Sequence, residues 1–275
     1  MTSTTDHYAV FGNPISHSKS PILHKAFADE NKQSLVYEAQ CVDKDRFRLA
    51  ADKFFAEGGL GLNITVPFKT DAYHYANRLS SRAKRAGAVN TLFLEGNHIV
   101  GDNTDGAGLV TDITQNLSWS IKDSDVLIVG AGGAVRGALE PLIEQEPKSI
   151  TIVNRTIEKA NLLAEEFNDL HKIKVCSFSE LEKQTFDLII NGTSASLSGD
   201  LPPLPNNLIQ NNTHCYDMMY ARDLTPFLAW AKTLGSQFLS DGLGMLVCQG
   251  AESFFIWRGI RPSTKKVINN LRNSL

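Results

Sequence analysis

Little in this chain points to export, a membrane or nucleic acid. Its four cysteines, Cys41, Cys176, Cys215 and Cys248, stand far apart. They form neither a C-x-x-C pair nor a metal-ligand spacing, so they read as reduced core thiols and no metal site is expected. The start, Met1 to His7, carries no basic stretch, and no apolar run approaches the roughly 20 residues that a membrane span needs. The expected location is cytoplasmic, with no membrane partner. With 27 Lys and Arg against 30 Asp and Glu the formal charge is -3, which offers no basic surplus to nucleic acid and no acidic solvating tail. Internal repeats and low-complexity tracts are also missing, so a repeat array is not expected. A small-molecule partner is what remains, with a homodimer left open.

What is present suits an α/β protein. At 275 residues with 42% hydrophobic content the chain can fill two cores of ordinary size. The first hundred residues alternate strand-like and helix-like patterns: Tyr8 to Phe11, a helix from Pro21, Leu35 to Cys41, then a helix around Phe47 to Phe55. Ser20 and Asp43 are placed to cap these helices, with Pro21 at a first helical position. Leu60 to Val66 reads as a strand stopped by Pro67, and Thr91 to Leu94 with His98 to Val100 as a hairpin around Glu95-Gly96-Asn97. From Leu109 a helix leads to strands at Asp125, Ile150, Lys174, Asp187 and His214, the rhythm of a doubly wound parallel sheet. The predicted division is an α/β domain over 1–104, completed by C-terminal helices at about 241–275 that pack back on it, and a second domain over 105–240.

The second domain carries the clearest chemical signal. Gly130-Ala131-Gly132-Gly133-Ala134 follows the apolar run Val126 to Val129 and opens a helix. Glycines there let backbone N–H groups approach a pyrophosphate, while the helix N-terminus favours negative charge. A second strand, Ile150 to Val153, ends at Asn154-Arg155-Thr156, where an NAD enzyme would place an acid for the ribose hydroxyls. An arginine fork suits a 2'-phosphate instead, and Lys159 one turn on adds charge. The pair of motifs predicts an NADP site on a Rossmann-like sheet. Against this stands the common alternative that Arg155 and Lys159 are only a solvated helix start. Thr193 and Ser194 lie after the strand Leu188 to Ile190, where open α/β sheets bind ligands, and Met218 and Gly242 are candidates for the same crevice.

The first domain gathers polar residues in its loops. Ser16 and Ser18 precede a helix, where hydroxyls and free N–H groups suit a carboxylate. Asn63 and Thr65 share a strand face by the two-residue period, and Pro67 turns the chain to present Lys69. Amide, hydroxyl and ammonium together suit a polyhydroxylated ligand. Asn90 and Asp105 bracket the hairpin at likely loop ends. Asp102 to Gly106 has the wrong acidic spacing for a calcium loop.

Taken in order, Ser16-x-Ser18, Asn63-x-Thr-x-Pro-x-Lys69, Ala88-Val-Asn90-Thr, Asn103-Thr-Asp105-Gly, Gly130 to Ala134, Asn154-Arg-Thr156 and Gly242-x-Gly-Met-Leu-Val-x-Gln249 resemble shikimate dehydrogenase over nearly the whole chain. The resemblance implies NADPH-dependent reduction of 3-dehydroshikimate to shikimate on the route to chorismate and the aromatic amino acids. It also implies that Ser16 and Ser18 bind the substrate carboxylate, that Asn63, Thr65, Asn90, Asp105 and Gln249 meet its hydroxyls, and that Lys69 and Asp105 are the catalytic pair. Tyr220 resembles a family position near the carboxylate, although Ala221-Arg222 stands where many relatives have Asn-Pro. Alternatives are an NAD-preferring quinate/shikimate dehydrogenase, which would gain from an acid in place of Arg155, and a silent ligand-sensing homologue, which would be expected to have lost Lys69 or Asp105. A two-domain enzyme for a folate or amino acid substrate fits Ser16, Lys69 and Asp105 less well.

Overall fold

The apolar runs become strands of two separate six-stranded sheets. The computed structural model describes residues 5–275; residues 1–4, part of the start read as carrying no basic stretch, lie outside them. The chain divides into two compact units, one running to Gly108 and including Val247–Val267, the other formed by Leu109–Leu246 with Ile268–Leu275.

The first unit is built in chain order from β1 (Asp6–Gly12), α1 (Ser20–Glu30), β2 (Leu35–Cys41), α2 (Phe47–Ala56), β3 (Gly59–Ile64), α3 (Lys69–Tyr75), β4 (Arg78–Leu79), α4 (Ser81–Ala86), β5 (Thr91–Glu95), β6 (His98–Asp102) and, as far as Gly108, α5 (Asp105–Thr111). Its sheet order is β2-β1-β3-β5-β6-β4. β1 is parallel to both neighbours, and its run Tyr8 to Phe11 is buried on both faces, as a continuous apolar strand should be. β3, β5 and β6 pair antiparallel, with Asn63 opposite Thr91 and Thr91 opposite Asp102. Phe11, Phe47, Leu62 and Phe68 lead the core. Two expectations about caps are corrected. α1 is preceded by Lys19 without a side-chain cap, and Ser18 instead accepts from the Ser20 N–H. Asp43 precedes a short 3-10 turn and makes no capping bond either.

In the second unit a π-helical turn, Asp112–Asn116, leads to β7 (Asp125–Val129), α6 (Gly133–Ile143), β8 (Ser149–Val153), α7 (Ile157–Glu166), β9 (Lys174–Cys176), β10 (Leu188–Asn191), β11 (His214–Asp217), α8 (Pro226–Thr233) and β12 (Phe238–Asp241). The order β12-β11-β10-β7-β8-β9 is wholly parallel and reverses direction between β7 and β10. That reversal is where a doubly wound sheet opens a crevice at its strand ends.

α9 (Leu243–Arg258) and α10 (Lys265–Asn273) finish the chain. From Val247 on, α9 belongs to the first unit, where Trp257 donates to the Leu92 carbonyl at 3.2 Å. Gly61 makes room for that ring: a Cβ there would lie 2.4 Å from Trp257 Nε1. Arg272 of α10 pairs with Asp241 in the second unit. Among the described residues no helix is long and apolar enough to cross a membrane.

Candidate active site

In the first unit, the strand β3 ends at Ile64, a turn carries Thr65 to Phe68, and Lys69 opens α3. Phe68 is wholly buried and anchors that turn in the core. Asp105 opens α5, its own N–H bonded to Asn103 Oδ1 at 3.1 Å. Lys69 Nζ meets Asp105 Oδ2 at 2.5 Å, with side-chain exposures of 33% and 15%. The ammonium has three donors and spends one on this contact, so it stays open to a ligand. Asn90 donates to Asp105 Oδ1 at 2.8 Å and reaches Gln249 Oε1 at 3.3 Å. Lys69, Asn90, Asp105 and Gln249 therefore lie together.

The Ser16–Ser18 loop sits beside the Thr65 turn. Asn13 N–H donates to the Val66 carbonyl at 3.0 Å, and Gly12 leaves space for Thr65, whose Cγ2 would stand 2.5 Å from a Cβ there. Ser16 is exposed, and Ser18 and Thr65 are half-buried. Asn63 departs from the expectation that it meets a ligand. It is 6% exposed; its Oδ1 accepts from Tyr37 at 2.8 Å, and its Nδ2 is shared among the Asn90 carbonyl, Thr91 Oγ1 and Ser253 Oγ. Both N–H groups are spent inside the protein, so this side chain holds two strands and α9 together.

Two features of this unit were invisible as motifs. Arg82 forks onto Asp102 at 2.7 and 2.8 Å and also meets Glu252 at 3.3 Å. Burial pushes Asp102 up, but the Arg82, Ser80 and Asn103 hydrogen bonds outweigh it and hold the carboxyl below its ordinary range. That carboxylate accepts the Asn103 N–H and so braces the turn before Asp105. The other feature is His24, buried and stacked on Tyr37 with ring centroids 4.1 Å apart. Neither ring nitrogen has a hydrogen-bond partner. Neighbouring Asn63 gives it none, having committed both N–H groups elsewhere. Burial lowers its pKa to about 3.

In the second unit, the backbone turns at Gly130 with φ +111°, a conformation L side chains avoid. A Cβ on Gly132 or Gly133 would meet open space, and no side chain caps α6. The first N–H groups of α6 are thus left for an anion, flanked by half-buried Ala131 and exposed Ala134. Arg155 and Lys159 are exposed at the start of α7, and Asn154 Nδ2 closes the turn onto the Thr156 carbonyl at 2.7 Å. These groups fit a dinucleotide carrying an extra phosphate.

At the ends of β10 and β11, Asn191 Oδ1 accepts from Thr193 Oγ1 at 2.8 Å, while Ser194 is exposed. Asp217, buried, ties this end together by accepting from Asn191, Ser196, Thr225 and the Met219 N–H. Met218 is 6% exposed, its sulfur 3.1 Å from where a Gly192 Cβ would be. Gly242 permits a close crossing: a Cβ would lie 2.2 Å from the Met218 carbonyl oxygen. Tyr220 is half-buried, and burial followed by nearby Asp241 raises its pKa, keeping the phenol protonated.

Comparison with known proteins adds to this geometry. Residues 10–92 match the model for the shikimate dehydrogenase substrate binding domain, 112–199 that for shikimate / quinate 5-dehydrogenase, and 242–272 that for the shikimate 5'-dehydrogenase C-terminal domain. A shikimate dehydrogenase (NADP(+)) of Cellvibrio japonicus is 54% identical over 272 residues, covering 98% of each chain. The crystal structure of an Ael1 enzyme from Pseudomonas putida superposes with a TM-score of 0.94 at 46% identity, covering 97% of this chain and 98% of that one. A shikimate 5-dehydrogenase from Thermus thermophilus, solved with NADP(H) and shikimate, gives 0.88 at 29% identity over 98% and 100%.

Proposed function

The chain belongs to the shikimate dehydrogenase family, and from that premise we propose that it reduces 3-dehydroshikimate to shikimate, reversibly, with NADPH, on the route to chorismate and the aromatic amino acids. The observation that carries this reading is the Lys69–Asp105 contact of 2.5 Å, in a partly buried setting next to Asn90 and Gln249. When bound, NADPH supplies the hydride that goes to the ketone carbon. Negative charge then grows on the ketone oxygen, and the Lys69 ammonium stabilises it and gives it a proton. The amine left behind is reprotonated from solvent. In the oxidation direction the same amine accepts the hydroxyl proton.

Asp105 orients Lys69, and Thr65, Asn90, Asp105 and Gln249 meet the substrate hydroxyls. Ser16 and Ser18 hold the carboxylate, and Tyr220 is assigned to substrate on the family resemblance alone. Asn63, with its amide committed internally, supports the site without touching substrate. The substrate half is assigned to 1–104 with 241–275, and the cofactor half to 105–240. Gly130 to Ala134 and the α6 N-terminus take the pyrophosphate, and Asn154, Arg155, Thr156 and Lys159 the 2'-phosphate. Thr193, Ser194, Met218 and Gly242 belong to the nicotinamide end. Spectrophotometric oxidation of shikimate, with NADP and NAD side by side, tests the proposal. Activity with NADP at least about tenfold more efficient than with NAD is expected from one charge-assisted phosphate fork. Equal efficiency would favour the quinate-type rival, and no turnover a silent homologue.

A further inference from the structure

We propose that Thr91 and Ser253, neither of which is placed against substrate, are positioning residues that fix the side-chain amide of Asn90 and, through it, the Asp105 carboxylate against Lys69. The inference rests on the proposed dehydrogenase reaction. It starts from an ambiguity that every asparagine carries: rotating the amide by half a turn barely changes its shape but exchanges donor and acceptor. Here the rotation matters. With Nδ2 toward Asp105 the amide donates to the carboxylate at 2.8 Å; rotated, an acceptor would face an acceptor at that distance.

Three donors reach Asn90 Oδ1, the Thr104 N–H and the Thr91 hydroxyl each at 2.9 Å and the Thr104 hydroxyl at 3.2 Å. The Thr91 hydroxyl owns one proton and can spend it on Asn90 only if its other neighbours donate to it. Asn63 Nδ2 does so at 3.2 Å. Ser253 Oγ, at 2.8 Å, makes its shortest contact with Thr91, against 3.1 Å to the Gln249 carbonyl and 3.3 Å to Thr104. Ser253 in turn accepts from Asn63 at 2.9 Å. Asn63 cannot rotate, because the Tyr37 hydroxyl donates to its Oδ1 at 2.8 Å. Tyr37 remains a donor, since burial pushes its pKa well above the ordinary phenol value.

The definite donations run from Tyr37 to Asn63, from Asn63 to Thr91 and Ser253, from Thr91 to Asn90 and from Asn90 to Asp105, while Ser253 has one proton to share between Thr91 at 2.8 Å and the Gln249 carbonyl at 3.1 Å. Asn90, Thr91, Thr104 and Ser253 are at most 2% exposed, so water cannot replace a missing partner. Asp105 ends as acceptor on both oxygens, Asn90 on one and Lys69 on the other.

Two substitutions at one position separate positioning from packing. Thr91→Val keeps the shape and loses the hydroxyl, while Thr91→Ser keeps the hydroxyl and loses a methyl. Positioning predicts that Thr91→Val lowers kcat for shikimate oxidation about tenfold with KM within about twofold, and that Thr91→Ser stays within about twofold on both. A packing role predicts the reverse ranking, because only the serine leaves a cavity. A Thr91→Val enzyme with wild-type kcat, or a serine variant worse than the valine, overturns the inference. Should Thr91→Val fail to fold, Ser253→Ala replaces it: a fall in kcat at unchanged KM supports the inference and wild-type kcat overturns it. A wild type inactive on shikimate with either cofactor removes the proposed function itself, and is told apart from these outcomes by being seen before any substitution.

Discussion

The two units present their candidate groups in opposite ways. In the first, Lys69, Asn90 and Asp105 are side chains bound to one another and braced by a buried polar network. In the second, the phosphate-facing part is backbone: a positive-φ glycine, two glycines open to space and an uncapped helix, with Arg155 and Lys159 exposed beside it. Reacting groups must be held to a fraction of an ångström, which satisfied buried hydrogen bonds achieve. A pyrophosphate needs only N–H groups, clearance and positive potential, which a turn and a helix end supply. Damage should therefore appear as lost turnover in the first unit and as lost cofactor affinity or backbone fit in the second.

The sharpest break is Lys69→Ala, expected to lower kcat about a thousandfold while KM for shikimate moves only a few-fold. Steady-state kinetics decide it, and unchanged turnover would take Lys69 out of the mechanism. Next come two glycines of the second unit. Gly242→Ala drives a methyl to within 2.2 Å of the Met218 carbonyl and should cost about 1–3 kcal/mol in urea unfolding. Gly132→Ala meets open space, so the unfolding midpoint should hold while KM for NADP rises; a large stability loss there would contradict a backbone kept clear for ligand.

Arg155→Ala should cut kcat/KM with NADP by roughly 10- to 100-fold, from about 1.5–3 kcal/mol for a charged hydrogen bond, and leave NAD nearly unchanged. An equal loss with both cofactors would show that Arg155 does not read the phosphate.

The smallest contrast is with pH. His24 in the first unit stays neutral down to about 3 where an ordinary histidine titrates at 6.5. The unfolded chain thus takes up a proton that the folded chain refuses. This stability is full above pH 6.5 and declines toward pH 3, by at most about 1.4 kcal/mol per pH unit. Depressed Asp102 acts in the same direction, its contribution lost as pH falls through its lowered value. In the second unit burial raises Asp112 and Asp217 despite their hydrogen bonds. Those two retain protons that the unfolded chain would release, so they add stability at low pH and lose it as pH rises through their raised values. His214 of the second unit, also lowered by burial, loses stability on acidification as His24 does, but only His24 is pushed as far as about 3. Hydrogen exchange corrected for intrinsic rate should therefore show the first unit opening earlier on acidification from pH 7 to about 5. His24→Phe should flatten the slope of unfolding free energy against pH; an unaltered slope would shift the cause to other groups.

The strands were readable because continuous or alternating apolar runs leave few other options, as at Tyr8 to Phe11 and Val126 to Val129. The short helices were harder. α3 and α4 span 7 and 6 residues, too few for a 3.6-residue period to emerge. α4 did leave a signal, a Ser80 cap accepting from Ala83 N–H and Gly87 in the left-handed region after it. The expected cap at Ser20 failed because the helix begins one residue earlier, with Lys19 as its N-cap and Ser20 already its first residue. Asn63 and Asn90 look equally ready for a ligand in the sequence, and nothing local separates them.

Residue type and spacing alone determined the chemistry on offer: a glycine turn between strand and helix, an arginine where an acid would serve NAD, a lysine presented by the turn after a strand and an aspartate at a loop end. Such signals are local, carried by backbone geometry and charge within a few residues. Which amide faces the carboxylate was decided only in three dimensions. Asn63 loses its free N–H groups partly to Ser253, 190 residues away, while Asn90 keeps one pointed at Asp105. A side chain has a fixed number of donors, and only the folded chain says where they are spent.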